Sequence, residues 1–326
     1  MRVTVLGGGA WGTALASHCV RAGLHVRLWV REPEVVRAVN DRHSNPVYLP
    51  EVELPEGLRA FEGLGEALSD AEVVLVVVPS EFCRAIYRQV GALAPPGAVL
   101  VSATKGIEVD TLRRMTEIAA EEAPDHPQAV LSGPSFALEV ARAMATAVVV
   151  ASTNHIVAEA VQRPLATRSF RVYSSEDVVG VELAGALKNV IAIAAGIIDG
   201  LGYGHNTGAA LITRGLAEIT RLAVALGARP DTLAGLAGLG DLVLTCTGAL
   251  SRNRRVGQGL GRGLTLAEAS SGMHPEGVRT TLAACDLASR CGIEMPIARQ
   301  MRAVLYEGKP PREALDELML RTLKRE

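Results

Sequence analysis

The stretch VTVLGGGAWG at residues 3–12 decides the fold of the first half of this chain. Its β-branched start is typical of a buried strand, and Gly7, Gly9 and Gly12 follow it in the spacing G-x-G-x-x-G before a helical pattern begins. In that context glycines allow a tight turn and let the backbone approach a pyrophosphate at a helix N-terminus. The stretch therefore predicts dinucleotide binding, with a purely structural turn as the alternative.

Short apolar strands alternate with helical stretches through the first half of the chain. The predicted strands are residues 3–6, 26–30, 73–78, 99–102, 129–131 and 147–150. The predicted helices are residues 10–22, 33–42, 82–93, 110–122 and 135–143, and a shorter unit near 156–173 completes the pattern. Continuously apolar strands separated by helices predict an α/β, Rossmann-like N-terminal domain over residues 1–174, with a doubly wound, mostly parallel sheet.

Helical periodicity replaces the strands after about Ser174. The helices predicted there are residues 178–198, 207–227, 230–236, 264–270, 277–291, 295–306 and 311–323. We therefore expect an all-α C-terminal domain over residues 175–326, which binds the substrate and carries the catalysis. A second glycine-rich run at residues 257–263 has no strand before it, and we interpret it as a loop or a helix end.

Composition excludes several classes of protein. The chain has 326 residues, 48% hydrophobic residues and a net charge of −2, which argues against disorder and against a basic nucleic-acid-binding surface. Five scattered cysteines without CxxC, and histidines without ligand spacing, indicate neither a disulfide framework nor a metal site. The most apolar stretch, residues 178–198, is interrupted by Glu182, Lys188 and Asn189, so we expect no integral membrane segment and a cytoplasmic location.

Lys188 is an unusual residue in this composition. Only four of the 33 basic residues are lysines, and this one lies in an apolar run beside Leu187 and Val190. Arginine is effectively never deprotonated in a protein, whereas burial can lower the pKa of a lysine towards neutral pH. Lys188 is therefore a candidate acid/base, and the alternative is a lysine whose stem lies along apolar surface with its head in water.

The residues after the second strand bear on the choice of cofactor. In many dinucleotide-binding folds an acidic residue at this point holds the ribose 2′-hydroxyl of NAD. Here Arg31 occupies the expected position, and an arginine can pair with the 2′-phosphate of NADP. The adjacent Glu32 keeps NAD possible, so the cofactor is predicted as NADP or NAD, and a solvated strand end is the alternative role for Arg31.

Four further segments place small or charged residues where ligands bind. SATKG at residues 102–106 and LSGPSFA at 131–137 follow strands at the carboxyl edge of the sheet, where a doubly wound fold binds its ligands. GLGDL at 238–242 sets Asp241 beside glycines, and a helix N-cap is the alternative role of that carboxylate. SRNRR at 251–255 concentrates donors suited to a phosphate.

Together these segments closely resemble the bacterial type of NAD(P)-dependent glycerol-3-phosphate dehydrogenase. The matching stretches are residues 7–15, 102–108, 131–140, 181–218, 235–247 and 251–255. The resemblance implies reversible hydride transfer between the nicotinamide cofactor and the pair dihydroxyacetone phosphate and sn-glycerol 3-phosphate. It also implies a supply of glycerol 3-phosphate for phospholipid synthesis, and a homodimer.

The resemblance also assigns roles residue by residue. It implies catalytic roles for Lys188, Lys105 and Asp241. The substrate contacts that it implies are Lys105, Gly133, Ser135, Lys188, Asp241, Ser251, Arg252 and Asn253. The cofactor contacts are Gly7, Gly9, Ala10, Trp11, Gly12, Arg31, Tyr48, Lys105, Ala137, Arg252 and Glu276. Ala10 stands where many relatives carry serine, and the residues before Glu276 differ from the common pattern.

The chemistry of ketone reduction agrees with these roles. Hydride arrival puts negative charge on the carbonyl oxygen, which a donor must stabilise and then protonate. We expect Lys188 to donate that proton, Lys105 to assist and Asp241 to orient the lysine or a substrate hydroxyl. Arg252 and Asn253 would hold the phosphate, while Arg254 and Arg255 are expected to be solvated surface charges.

Two other functions are compatible with parts of the pattern. One is another two-domain, lysine-dependent NAD(P) dehydrogenase, such as a β-hydroxyacid or ketopantoate-type reductase. Such enzymes lack the combination of the phosphate cluster at residues 251–253 with the GLGD segment at 238–241. The other is a dinucleotide-sensing regulatory module without turnover, which the retention of both lysines, Lys105 and Lys188, argues against.

Overall fold

The computed structural model describes residues 1–321 of the chain. Within this range the chain divides into two compact units. The first contains Met1–Lys105 and Arg113–Glu182, and the second contains Gly106–Leu112 and the chain from Leu183 onward. The domain boundary expected between residues 174 and 175 stays a prediction.

The first unit is built on an eight-stranded sheet with the order β10-β9-β8-β7-β6-β1-β2-β5. The strands are β1 Arg2–Leu6, β2 His25–Trp29, β3 Ser44–Asn45, β4 Leu49–Glu53, β5 Arg59–Phe61, β6 Val73–Val76, β7 Val99–Ser102, β8 Gln128–Ser132, β9 Thr146–Ala151 and β10 Phe170–Ser175. Neighbouring strands of the large sheet pair in parallel, except that β8 and β9 are antiparallel. The short strands β3 and β4 form a separate antiparallel hairpin.

Helices cover both faces of this sheet. They are α1 Ala10–Arg21, α2 Pro33–Arg42, α3 Leu64–Leu68, α4 Ser80–Leu93, α5 Met115–Glu122, α6 Ala137–Ala141 and α7 His155–Leu165. Successive strand residues point to opposite faces, so Val5 packs in the cluster that holds α1, α2, α6 and α7, whereas Leu6 packs with α3, α4 and α5. The α/β, doubly wound and mostly parallel fold predicted from the sequence is confirmed.

Several short elements of the first unit were not predicted. The three prolines between residues 46 and 55 lie in and beside the β3–β4 hairpin, and β5 and α3 follow it. The helix predicted over 110–122 begins only at Met115, so the prediction was wrong for residues 110–114. Leu112 has a φ of 62°, a left-handed conformation that cannot continue an α-helix, and residues 106–112 belong to the second unit.

The second unit consists of helices, as predicted, in the part of the chain that the structure describes. They are α8 Val178–Gly200, whose residues up to Glu182 belong to the first unit, α9 His205–Ala225, α10 Pro230–Ala234, α11 Asp241–Thr247, α12 Arg252–Gly261, α13 Leu266–Ala269, α14 Glu276–Arg290, α15 Pro296–Tyr306 and α16 Pro311–Met319, with a π-helical turn at Leu236–Gly240. The helices α11 and α12 were not predicted. The end of the helix predicted over 311–323 lies outside the described residues.

Helix α8 is long and apolar. By length and composition it could cross a membrane, but 94% of its most apolar window is buried within the protein. A helix that is apolar on all sides is expected in a protein core as well as in a membrane. Burial of α8 therefore agrees with a core helix.

Candidate active site

The glycine turn between β1 and α1 has the geometry of a nucleotide-binding turn. Gly7 has a φ of 122°, and a Cβ atom built there would lie 2.7 Å from the Val77 carbonyl oxygen. A Cβ on Gly12 would lie 1.9 Å from the carbonyl oxygen of Gly7, so both positions require glycine. A Cβ on Gly9 would meet no atom within 4 Å among residues 1–321, which leaves this side of the turn open to a ligand.

The first residues of α1 present the positive end of a helix beside this opening. Its N-cap, Gly9, offers no side-chain cap, and the first turn, which starts with Ala10 and Trp11, contains no acidic residue. The Trp11 Nε1 is buried without a hydrogen-bond partner in the described part of the chain. A buried donor without a partner costs free energy, so a ligand that accepts its hydrogen bond would bind favourably here. These features fit a dinucleotide.

The side chains of Arg31, Glu32 and Tyr48 contact one another beyond the end of β2. Arg31 is 73% exposed, and its Nη2 lies 3.1 Å from Glu32 Oε1. The Tyr48 hydroxyl donates a 3.3 Å hydrogen bond to the same oxygen, and burial, followed by the charge of Glu32, raises the pKa of Tyr48. Glu32 is the N-cap residue of α2, but its side chain makes no cap hydrogen bond within the described chain. Its carboxylate instead contacts Arg31 and Tyr48, the two residues that we predicted as cofactor contacts.

Lys105 contacts the turn that follows β8. Its Nζ donates to the Gly133 carbonyl at 2.9 Å and to Ser135 Oγ at 3.4 Å, and Ser135 also donates to Gly133 at 2.8 Å. These residues meet because β7 and β8 are parallel neighbours, so the segments after them leave the same edge of the sheet. The structure thus brings together three of the predicted substrate contacts, with Ala137 opening α6 just beyond them.

In the second unit Lys188 forms a buried ion pair. Its Nζ lies 2.6 Å from Asp241 Oδ1, and the two side chains are 7% and 1% exposed. The ammonium also donates to Thr245 Oγ1 at 2.7 Å, and that hydroxyl donates to the Asp241 carbonyl at 2.6 Å. The alternative of a lysine head in water is therefore wrong. Burial disfavours the charged ammonium, whereas the adjacent carboxylate favours it, and the same groups fix its orientation.

The GLGD segment places Asp241 through an unusual turn. The residues before it form a π-helical turn, closed by a hydrogen bond of 3.1 Å from Gly240 N to the Gly235 carbonyl. A Cβ on Gly238 would lie 2.0 Å from the Leu233 carbonyl, so this wide turn needs glycine. Asp241 then begins α11, whose N-cap is Gly240. The alternative of Asp241 as the N-cap is wrong, and its carboxylate faces Lys188.

The first turn of α12 contains the predicted phosphate-binding residues. Ser251 caps the helix, because its Oγ accepts a 3.2 Å hydrogen bond from Arg254 N. Arg252 is exposed and interacts electrostatically with Glu276, the first residue of α14. The structure therefore brings Arg252 and Glu276, both predicted as cofactor contacts, near each other within this unit.

Asn253 joins three helices of the second unit. Its Nδ2 donates to Asn189 Oδ1 at 2.9 Å, and its Oδ1 accepts from Gly277 N at 3.0 Å. Asn189 follows Lys188 on α8, and Gly277 lies in the first turn of α14. Asn253 therefore ties the start of α12 to the helix that carries the lysine.

Arg254 is not the solvated charge that we expected. Its guanidinium is 19% exposed and lies 3.0 Å from Asp199 Oδ2 near the end of α8, and Gln258 donates to the same carboxylate. Arg255 is exposed, as predicted. The distinction was invisible in the sequence because Asp199 is 55 residues away from Arg254.

The glycine-rich run at residues 257–263 belongs largely to α12, and it lies against α8. The loop interpretation was wrong, whereas the helix end is present at Gly261. A Cβ on Gly257 would lie 2.0 Å from the Ile193 carbonyl, and one on Gly196 would lie 2.0 Å from the Arg254 carbonyl. Glycines at these positions allow the two helix backbones to touch.

Three residues of the site were missed by the sequence analysis. Thr245 holds Lys188, Asn189 holds Asn253, and Asn45 contacts the glycine turn. Thr245 lies four residues after Asp241, a spacing that places two side chains on one face of a helix, so that signal was present. The other two residues, Asn189 and Asn45, carried no comparable sequence pattern.

The fold and its glycine turn are those of the dinucleotide-binding class of proteins, here with a helical second unit. Residues 2–158 match the family profile described as NAD-dependent glycerol-3-phosphate dehydrogenase N-terminus, and residues 177–316 match the profile of its C-terminus. The chain therefore belongs to the NAD-dependent glycerol-3-phosphate dehydrogenase family, and the predicted resemblance is confirmed.

Individual relatives agree along the whole chain. A glycerol-3-phosphate dehydrogenase (NAD(P)+) of Geobacter sp. (strain M21) is 54% identical over 100% of this chain and 98% of its own length. The crystal structure of glycerol-3-phosphate dehydrogenase from Coxiella burnetii has a TM-score of 0.95 and 42% identity, covering 98% of this chain and 99% of that one. A ketopantoate reductase from Ralstonia eutropha JMP134, with a TM-score of 0.63 and 17% identity, shares the fold alone.

Proposed function

We propose that this protein reversibly reduces dihydroxyacetone phosphate to sn-glycerol 3-phosphate with NAD(P)H. The observation that carries the proposal is the buried Lys188–Asp241 pair, in a chain that matches the dehydrogenase family over both units. A lysine ammonium held by a carboxylate is a proton donor in a fixed orientation, as ketone reduction requires. The family match makes this reading stronger than the ketopantoate-type alternative, whose likeness is in fold only.

The first unit has the residues to hold the cofactor. The open side of Gly9 and the positive end of α1 suit the pyrophosphate, and the unpartnered Trp11 Nε1 offers a further donor. When bound, the nicotinamide supplies the hydride. Arg31 would pair with a 2′-phosphate and Glu32 with a free ribose hydroxyl, so the two adjacent side chains suit NADP and NAD respectively.

Lys188 would move the proton. In reduction its Nζ donates a proton to the carbonyl oxygen as negative charge develops there, and in oxidation the neutral amine takes the proton from the alcohol. Asp241 and Thr245 hold the Nζ in one direction through both steps, because each contacts it within 2.7 Å. Lys105, already bound to the Gly133 carbonyl, would contribute a second positive charge at the substrate.

The phosphate would bind at the start of α12. Arg252 is exposed there and supplies charge-assisted hydrogen bonds, while Asn253 and the capping Ser251 fix the helix end. Binding energy at the phosphate is remote from the reacting carbon and orients the ketone for reaction. We further propose that the product serves phospholipid synthesis and that the protein is a cytoplasmic homodimer. Sedimentation of the purified chain would check the dimer.

Initial rates test the proposed reaction directly. Dihydroxyacetone phosphate should be reduced with both NADH and NADPH, followed by the loss of nicotinamide absorbance, and NADPH should be the better cofactor if Arg31 dominates over Glu32. Ketopantoate and unphosphorylated keto acids should be reduced at less than about 1% of that kcat/KM, because they cannot use Arg252. Reduction of a keto acid faster than that of dihydroxyacetone phosphate would favour the β-hydroxyacid or ketopantoate-type alternative. Tight cofactor binding without any turnover would favour a regulatory module.

Arg252→Ala should raise the KM for dihydroxyacetone phosphate by about tenfold to a hundredfold, because a charge-assisted contact to the phosphate is lost. Steady-state kinetics with saturating cofactor would measure this change. Arg255→Ala, which removes the exposed arginine three positions along the same helix, is the matched control and should leave the KM within about twofold. An unchanged KM in Arg252→Ala would place the phosphate elsewhere.

A further inference from the structure

The β3–β4 hairpin contributes a buried asparagine to the glycine turn. Asn45 is fully buried, and its Nδ2 donates to the Gly8 carbonyl at 2.8 Å and to Thr13 Oγ1 at 2.9 Å. The Thr13 hydroxyl donates to the same Gly8 carbonyl at 3.1 Å. Two side chains therefore converge on one backbone oxygen in the middle of the turn. Neither was among the predicted site residues.

Hydrogen bonds to the Gly8 carbonyl also orient the next amide. The peptide unit is planar and trans, so its C=O and the following N–H point in opposite directions. Holding the Gly8 oxygen towards Asn45 therefore turns the N–H of Gly9 away from Asn45. Gly9 is the turn residue whose Cβ position meets no atom of the described chain within 4 Å. Glycine-turn amides of this kind are the groups that bind a pyrophosphate.

The same asparagine holds the rest of the hairpin in place. Its Oδ1 accepts a 3.1 Å hydrogen bond from the backbone N–H of Tyr48, whose hydroxyl reaches Glu32 beyond the end of β2. Both N–H groups of the Asn45 amide and its carbonyl oxygen thus have partners, as buried polar groups require. The hairpin is therefore connected to the cofactor region at two points, the glycine turn and the end of β2.

We infer that Asn45 is a positioning residue for cofactor binding. It fixes the peptide between Gly8 and Gly9, so that the Gly9 amide is already oriented when the pyrophosphate binds. Preorganised donors need no reorganisation on binding. Loss of this preorganisation weakens affinity, although the donor itself and its direct contact remain. The inference rests on the proposed function only in that the first unit binds NAD(P)H.

The test is direct binding of NADH and NADPH to the full-length protein, without substrate, by nicotinamide fluorescence. Asn45→Ala should raise the Kd for both cofactors alike, by at least about tenfold, because the pyrophosphate is common to both. Asn40→Ala is the matched control. Asn40 also makes two hydrogen bonds across this part of the unit, both with Ala60, at 2.9 and 2.8 Å, and neither reaches the turn.

Asn40→Ala should leave both Kd values within about twofold, although both variants should lower the Tm. Equal Kd values in the two variants would overturn the inference, and so would a change confined to one cofactor. If Asn45→Ala does not fold, Thr13→Val removes one of the two bonds to Gly8 and should raise both Kd values about threefold, with an unchanged Kd contradicting the proposal. Failure of the unsubstituted protein to bind either cofactor would instead refute the proposed function.

Discussion

Lys188→Ala is expected to lower kcat for dihydroxyacetone phosphate reduction by at least about a thousandfold, because it removes the proton donor. The Kd for NADPH should stay within about twofold, because the residues that we assign to the pyrophosphate lie in the first unit. Steady-state kinetics and fluorescence titration measure the two quantities on the same sample. A kcat within about tenfold of the unsubstituted protein would remove Lys188 from the mechanism.

The buried ion pair makes this variant less stable as well as less active. Loss of the ammonium leaves the Asp241 carboxylate, 1% exposed, without its cation, and breaking a buried pair in this way costs about 3–5 kcal/mol. The double variant Lys188→Ala with Asp241→Ala should recover part of that stability in urea unfolding, yet no activity. Lys309→Ala is the control for loss of a lysine, since Lys309 forms an ion pair with Glu317 at 2.6 Å and has no assigned role. Its kcat should not change.

The first unit could be predicted largely from local sequence. A run such as residues 99–102 is apolar at each position before Ser102, so it identifies a buried strand without knowledge of its neighbours, and the structure has β7 at Val99–Ser102. The β3–β4 hairpin and the three-residue β5 are too short for a periodic signal. Their positions depend on contacts such as Asn45 with Gly8, which are set by the tertiary fold.

The candidate site was harder to predict than the fold. Lys188 and Asp241 are separated by 53 residues, and only the resemblance to a family suggested that both belong to the chemistry. The pairing itself depends on the π-helical turn before Asp241, which sequence periodicity does not reveal. The roles of the individual site residues are therefore predictions, which the variants Lys188→Ala and Arg252→Ala test.

The glycine-rich run at residues 257–263 was misread for a physical reason. Glycine is about 1 kcal/mol worse than alanine in a helix interior, so several glycines in seven residues argue against a helix. In α12 that cost is offset by contact with the backbone of α8, which no larger residue would allow. The same contact fixes α12, which begins with the predicted phosphate-binding residues, against the helix that carries Lys188.

Gly257→Ala is therefore expected to destabilise the protein by about 3 kcal/mol, because its Cβ would lie 2.0 Å from the Ile193 carbonyl and the helices must separate. Gly208→Ala, in α9, is the matched control. A Cβ there meets no atom within 4 Å in the described chain, so the substitution should stabilise the protein by up to about 1 kcal/mol. Urea unfolding measures both values.

Separation of α8 from α12 should also affect catalysis, because Lys188 and Arg252 lie on the two helices. In Gly257→Ala we therefore expect two effects, the loss of stability given above and a rise of about tenfold in the KM for dihydroxyacetone phosphate. Gly196→Ala disturbs the same helix contact from the α8 side, because its Cβ would lie 2.0 Å from the Arg254 carbonyl. It should have the same two effects. If either alanine were tolerated with unchanged stability and KM, the close packing of these helices would not be what holds the lysine and the arginine in register.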